Sequence, residues 1–207
     1  MTVDTMLIVT TVSFLGMISP GPDFFLVLKN SLSYSRKIAL FTSLGIIIAI
    51  LIHMSYCVAG IALLISTTPI LYNALRYVGA TYLIWIGIKA LLAKNRGSNY
   101  IGSVSNSRII TTKTAFIQGF LCNLLNPKAT LFFLAIFTQV LNENSTLYDK
   151  LLVALIIWTE AILWWPFVVF IFQTQTIQRR YYKVQFIIDK ILGIMIVILG
   201  LKVALGS

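Results

Sequence analysis

Ser19-Pro20-Gly21-Pro22-Asp23 interrupts an apolar segment that begins almost at the first residue. Each proline removes a backbone donor and clashes with the turn before it, so an α-helix cannot continue through the stretch. In a bilayer the freed carbonyls and amides have no water to turn to, and such a break is tolerated only where it is buried in protein or faces a cavity. Asp23 puts a carboxylate at the same spot. A charge there is costly, and the cost points to a transport site rather than an anchor.

The rest of the chain has the composition of a polytopic membrane protein. Of 207 residues, 58% are hydrophobic and 11% charged, with a mean hydropathy of +0.92. A soluble domain carries about a quarter charged residues. The net charge of +10 sits in short clusters between apolar runs, without a basic face or a recognition motif, so no nucleic-acid partner is expected. The N-terminus lacks a basic n-region, with Asp4 where lysines would stand in a signal peptide, and the first span is expected to be retained. Cys57 and Cys122 lie within apolar runs and imply neither a disulfide framework nor a metal site. No cofactor is expected.

Six apolar runs, at residues 5–28, 38–66, 71–92, 114–141, 147–172 and 184–205, each come near the length that crosses a hydrocarbon core. Lys29, Arg36 and Lys37 fall between the first and second, Lys94, Arg96, Arg108 and Lys113 between the third and fourth, and Arg179, Arg180 and Lys183 between the fifth and sixth. Basic residues in short loops stay on the cytoplasmic side, which places both termini outside. Tyr72, Tyr77, Tyr148, Tyr181 and Tyr182 stand where interfacial aromatic belts are expected.

The polar connection at 94–113 divides the chain into two halves of three spans. An odd number of spans reverses the sense of the second half, so homologous halves would form an inverted repeat. A constant offset argues for homology: Ser19-Pro20 meets Asn126-Pro127 at a shift of 107 positions, and the same shift carries His53 onto Glu160. The expected fold is therefore an all-α membrane protein, one domain over 1–207, with repeat 1 at 1–95, a cytoplasmic linker at 96–112 and repeat 2 at 113–207. Spans 1 and 4 are broken, at equivalent places in the two halves, which is the best sequence pointer to a transporter site.

Asn123 and Asn126 are three apart and share a helix face beside Pro127. Lys128 lies near the middle of its run, where a lone ammonium costs about 2.5–3.5 kcal/mol on insertion scales and needs a partner. If the breaks meet, Asp23 and Lys128 are expected to face one another as an ion pair. The alternative is that Asp23 attracts a substrate ammonium while Lys128, or the free amides of a half-helix N-terminus, attracts a carboxylate. Glu160 and His53 are the candidate proton-coupling groups, Glu160 first: an apolar setting brings a carboxyl toward physiological titration, and histidine starts there. Their alternatives are a protonated, hydrogen-bonded Glu160 and a packed neutral His53. Gly79 and Gly87, and Gly193 and Gly200, read as sites of close helix approach.

Ser19-Pro20-Gly21-Pro22-Asp23-Phe24, the run from Gly79 through Trp85 to Gly87, and Gly119-Phe120-Leu121-Cys122-Asn123-Leu124-Leu125-Asn126-Pro127-Lys128-Ala129 together resemble the LysE/RhtB family of bacterial amino acid exporters. The resemblance covers nearly the whole chain. It implies six helices in the inner membrane and efflux of amino acids such as threonine, homoserine, lysine, arginine or leucine in exchange for protons. It brings Pro20, Gly21, Pro22, Asp23, Asn123, Asn126, Pro127 and Lys128 into the substrate site. Many members place a small or acidic residue in the second span where this chain reads Ile46-Ile47-Ile48-Ala49-Ile50-Leu51, which favours a neutral over a cationic substrate.

The expected partners are an amino acid substrate, protons and the lipid bilayer, with a homodimer left open. The first rival is export of another small solute or a metal cation on the same scaffold; a metal exporter would show midplane clusters of Cys, His, Asp or Glu. The second, an intramembrane hydrolase, lacks any recognisable nucleophile motif, so the chain is not expected to be an enzyme.

Overall fold

The computed structural model of the chain describes residues 1–19, 21–67, 69–92, 110–141 and 145–174, with scattered residues between 184 and 201. Pro20, most of the 96–112 linker, Tyr181, Tyr182 and Gly200 lie outside the described residues, as do the side chain of Tyr72 and the surroundings of Gly79. Helices α1 (Val3–Ile18), α2 (Pro22–Ser33), α3 (Arg36–Thr67), α4 (Pro69–Leu91), α5 (Thr112–Leu124), α6 (Pro127–Val140) and α7 (Leu147–Phe172) follow in order, and no strand occurs among the described residues. Among the described residues, two helices are long and apolar enough to cross a membrane, or up to four if each bent pair is one span.

Both breaks lie where proline chemistry puts them. α2 and α6 each start on a proline, Pro22 and Pro127, at the first helical position, where a missing N–H costs nothing because no partner exists for it there. Asn126 caps α6 through its side-chain oxygen, which accepts from the Lys128 N–H at 3.0 Å. The α1–α2 pair bends by 56° and the α5–α6 pair by 55°. Adding 107 to the bounds of α1, α2 and α3 gives 110–125, 129–140 and 143–174, which overlie α5, α6 and α7.

Contacts between helices fix their directions. Arg36 at the start of α3 donates from Nε to Gln173 just after α7 at 3.0 Å, and Ser43 donates to the Trp165 carbonyl at 3.4 Å, so α3 and α7 run antiparallel. The Met1 amino group meets Asp149 at 2.7 Å and Ser13 meets Glu160, so α1 runs parallel to α7. α3 packs against α2, α5, α6 and α7, and its Ile46, Ile50 and Met54 are core residues.

Glycines set the closest crossings. A Cβ on Gly45 would strike the Phe116 carbonyl and one on Gly119 the Thr42 carbonyl, so these two glycines let α3 and α5 touch backbone to backbone. Gly87 and Gly193 meet in the same way: a Cβ on either would stand 2.8 Å from the other's carbonyl oxygen. Lipid tails are as apolar as leucine, so such close packing, rather than escape from water, holds helices together in a bilayer. Outward residues such as Leu155, Leu163 and Phe170 form the exposed apolar surface that lipid requires.

Candidate functional site

The two breaks face each other across a cavity of about 40 Å³, room for about three waters. Ser19, Gly21 and Asp23 line it from the first break and Asn123, Asn126 and Lys128 from the second; Met17, Ile50, Phe132, Phe133 and Trp165 add apolar lining. Ser19 meets Lys128 at one level, and Gly16 meets Phe132 about one helical turn away.

Asp23 is the second residue of α2, at the positive end of the helix dipole, and is 9% exposed. Its Oδ2 accepts from the Asn123 amide at 3.0 Å and the Asn126 amide at 2.9 Å. The orientation of Asn126 follows from its two duties: its oxygen caps α6, which leaves its NH₂ for Asp23. Asp23 Oδ1 and Asn123 Oδ1 are buried acceptors that make no hydrogen bond of ordinary geometry, and the Cys122 thiol, a weak donor, stands near the Asp23 carboxyl. A buried polar atom left unpaired costs about 1–3 kcal/mol, so two such acceptors on residues that line one cavity mark a place for a donor.

The Lys128 ammonium reaches from the second break to the first, donating to the Ser19 carbonyl and the Ser19 hydroxyl, both at 3.1 Å. Its stem lies over Gly21, where a Cβ would stand 3.2 Å from Nζ. Among the described residues, the direct Asp23–Lys128 ion pair expected from the sequence is not formed. The two amides occupy one carboxylate oxygen, and the ammonium serves a carbonyl at the broken end of α1. Both charges still line the same cavity.

His53 lies beside this cluster in α3, with Nε2 3.2 Å from the Asn123 carbonyl oxygen and Nδ1 in contact with the Tyr56 hydroxyl. Glu160 lies elsewhere, between α7 and α1, where its Oε2 is 2.5 Å from Ser13 Oγ and its Oε1 is buried without a partner. Ser13 Oγ is also 2.6 Å from the Val9 carbonyl. A hydroxyl carries one hydrogen. When Ser13 donates to Val9, the short contact to Glu160 is a bond only if the carboxyl holds a proton and donates it; an ionised Glu160 draws the hydroxyl away from Val9. Ser13 is one turn before Gly16 and Met17 in the cavity wall.

Sequence reasoning missed Ser13, Ser19 as the Lys128 partner, Tyr56, and the apolar wall of Phe132, Phe133 and Trp165. Ser13 carried a signal, a hydroxyl on the helix that precedes a break, but aromatic residues in an apolar helix do not announce which of them line a cavity.

A family model, LysE type translocator, matches residues 14–207. The uncharacterized membrane protein YrhP of Bacillus subtilis is 33% identical over 196 residues, 92% of this chain and 93% of the relative. The threonine efflux protein of Escherichia coli K12 is 26% identical over 200 residues, 97% of each chain. A leucine efflux protein of Enterobacter is 33% identical over 136 residues, 65% of this chain and 62% of the relative. No solved structure matches.

Proposed function

Because the chain belongs to the LysE type translocator family, and is therefore a multi-pass membrane transporter and not an enzyme, we propose that it exports small amino acids across the cytoplasmic membrane by proton antiport. Efflux of threonine and of leucine is what relatives are named for, and amino acid export is the function this similarity supports. The substrate site is the cavity where Gly21, Pro22 and Asp23 meet Asn123, Asn126, Pro127 and Lys128; Pro20 belongs to the same break.

One observation carries the reading: the buried Asp23 carboxylate, whose Oδ1 lies outside the two amide bonds, shares its cavity with the Lys128 ammonium. An amino acid carries its ammonium and its carboxylate on the same α-carbon, and a site of this kind offers one group of each sign. Asp23 Oδ1 and Asn123 Oδ1 take the substrate ammonium, while Lys128 and the α6 N-terminus face its carboxylate.

The architecture in this proposal is two inverted repeats of three spans, supported by the shared offset of 107, the matching bends and the antiparallel pairing of α3 with α7. A cavity of about 40 Å³ is smaller than an amino acid, so the substrate enters when the halves move apart, and alternating access follows. Glu160 is the first proton carrier, because its bond to Ser13 changes with its protonation state one turn from the cavity wall; His53 is the second. Both termini face outward, and the chain forms one transport domain.

The test is counterflow of a panel of labelled amino acids in proteoliposomes, with and without a pH gradient. Accumulation of small amino acids that rises with the gradient is the expected result. Transport of none of them, beside transport of divalent cations or another solute, would overturn it.

A further inference from the structure

The Gly16–Phe132 contact lies about one helical turn from the Ser19–Lys128 contact in the lining of one cavity. With the charged groups of an amino acid held at Asp23 and Lys128, Phe132 stands one turn along α6 from the anchored end. Lys128 and Phe132 are four residues apart on α6 and share a face, so about 6 Å of helix axis separates the anchoring group from the ring. Phe132 is 5% exposed and its ring cannot retreat toward α1, because it lies against Gly16: a Cβ there would overlap three ring carbons. Gly16 and Phe132 both line the cavity. On its other side the ring packs edge-on to Phe133, with centroids 6.0 Å apart.

We propose that the Gly16–Phe132 contact is the size gauge of the site, which admits side chains of up to about three non-hydrogen atoms, such as alanine, serine and threonine, and disfavours longer ones. The inference rests on the exporter reading. Glycine at position 16 lets the ring lie back against α1; the ring then forms the wall against which a side chain ends. Among the described lining residues Asp23 is the one carboxylate, so with the substrate ammonium held there a cationic side chain would have no second carboxylate to pair with.

The experiment is counterflow of labelled alanine, threonine, leucine and phenylalanine in proteoliposomes with the wild type, Phe132→Ala, Phe132→Leu and Gly16→Ala. Phe132→Ala is expected to raise the leucine-to-threonine rate ratio about tenfold or more, the discrimination that one or two methylenes give in an apolar pocket. Gly16→Ala, by driving the ring inward, is expected to lower the threonine-to-alanine ratio. Phe132→Leu gives a smaller shift in the same direction as Phe132→Ala and reads the effect if the alanine variant fails to reach the membrane. Ratios unchanged in both Phe132 variants while transport continues would overturn the gauge alone. A wild type that carries no amino acid overturns the exporter reading, and the gauge with it.

Discussion

His53 supplies to Asn123 the hydrogen bond that Pro127 cannot. In an uninterrupted helix the Asn123 carbonyl would accept from the N–H of residue 127, and proline has none. His53 Nε2 stands 3.2 Å from that oxygen, and Asn126 N–H shares it at 3.0 Å. The neighbouring Tyr56 hydroxyl faces Nδ1, so a neutral ring donating from Nε2 has both nitrogens in use. The lone histidine of the chain therefore steadies the segment that presents Asn123 to Asp23.

A substitution series separates this steadying role from proton carriage. His53→Gln keeps an amide N–H able to reach the Asn123 carbonyl, whereas His53→Leu does not. Thermal unfolding in detergent is expected to show His53→Leu less stable by about 1 kcal/mol, with His53→Gln close to wild type. Equal loss in both variants would count against the hydrogen bond. Loss of gradient-driven efflux in His53→Gln, with stability intact, would move His53 into the proton path.

The positions of Asp23 and Lys128 lead to a second expectation. Because Asn123 and Asn126 donate to Asp23 while Lys128 donates to Ser19, exchanging the charges does not restore either set of bonds. An ammonium at position 23 would face two NH₂ groups. Asp23→Asn alone is expected to lower counterflow by about 10- to 150-fold, the value of a hydrogen bond to a charged group. Asp23→Lys combined with Lys128→Asp is expected to be no more active than either single change; recovery in the double variant would restore the direct pair.

These two sites show how far the sequence could be read. Prolines act through the local backbone, so Pro22 and Pro127 revealed both breaks, and the offset of 107 carries the helices around the first break onto those around the second. The neighbourhood of Asp23 and Lys128 was legible for the same reason. Their partners were not, because a partner depends on which side chains tertiary packing delivers first, and the amides of Asn123 and Asn126 reach Asp23 from the facing helix end. Gly45 was invisible as a crossing point. A glycine in an apolar helix reads alike whether it meets a backbone or faces lipid, and only the position of Phe116 decides.

That crossing supports a third prediction. Gly45→Ala and Gly119→Ala each put a methyl into the opposite helix backbone, which cannot yield as a flexible side chain would. Each is expected to cost about 1–3 kcal/mol of stability, as overpacking does. Gly60→Ala is the control, since nothing lies near its missing Cβ, and should unfold like wild type. Three equal midpoints would show that α3 and α5 do not cross as closely as described.

The Ser13–Glu160 contact makes a prediction about protons. Glu160→Gln keeps a donor for Ser13 Oγ and so preserves the arrangement in which the hydroxyl serves Val9, yet an amide cannot release a proton. The variant is expected to fold, and to exchange labelled for unlabelled substrate, at rates within a few fold of wild type. Accumulation driven by a pH gradient should disappear, because the step that returns an empty carrier with a proton has lost its carrier. Ser13→Ala removes the partner but not the carboxyl, and should retain gradient-driven transport at a reduced rate. Measured side by side in proteoliposomes with imposed gradients, the pair separates titration from packing. Gradient-driven transport that survives Glu160→Gln unchanged would remove Glu160 from the proton path.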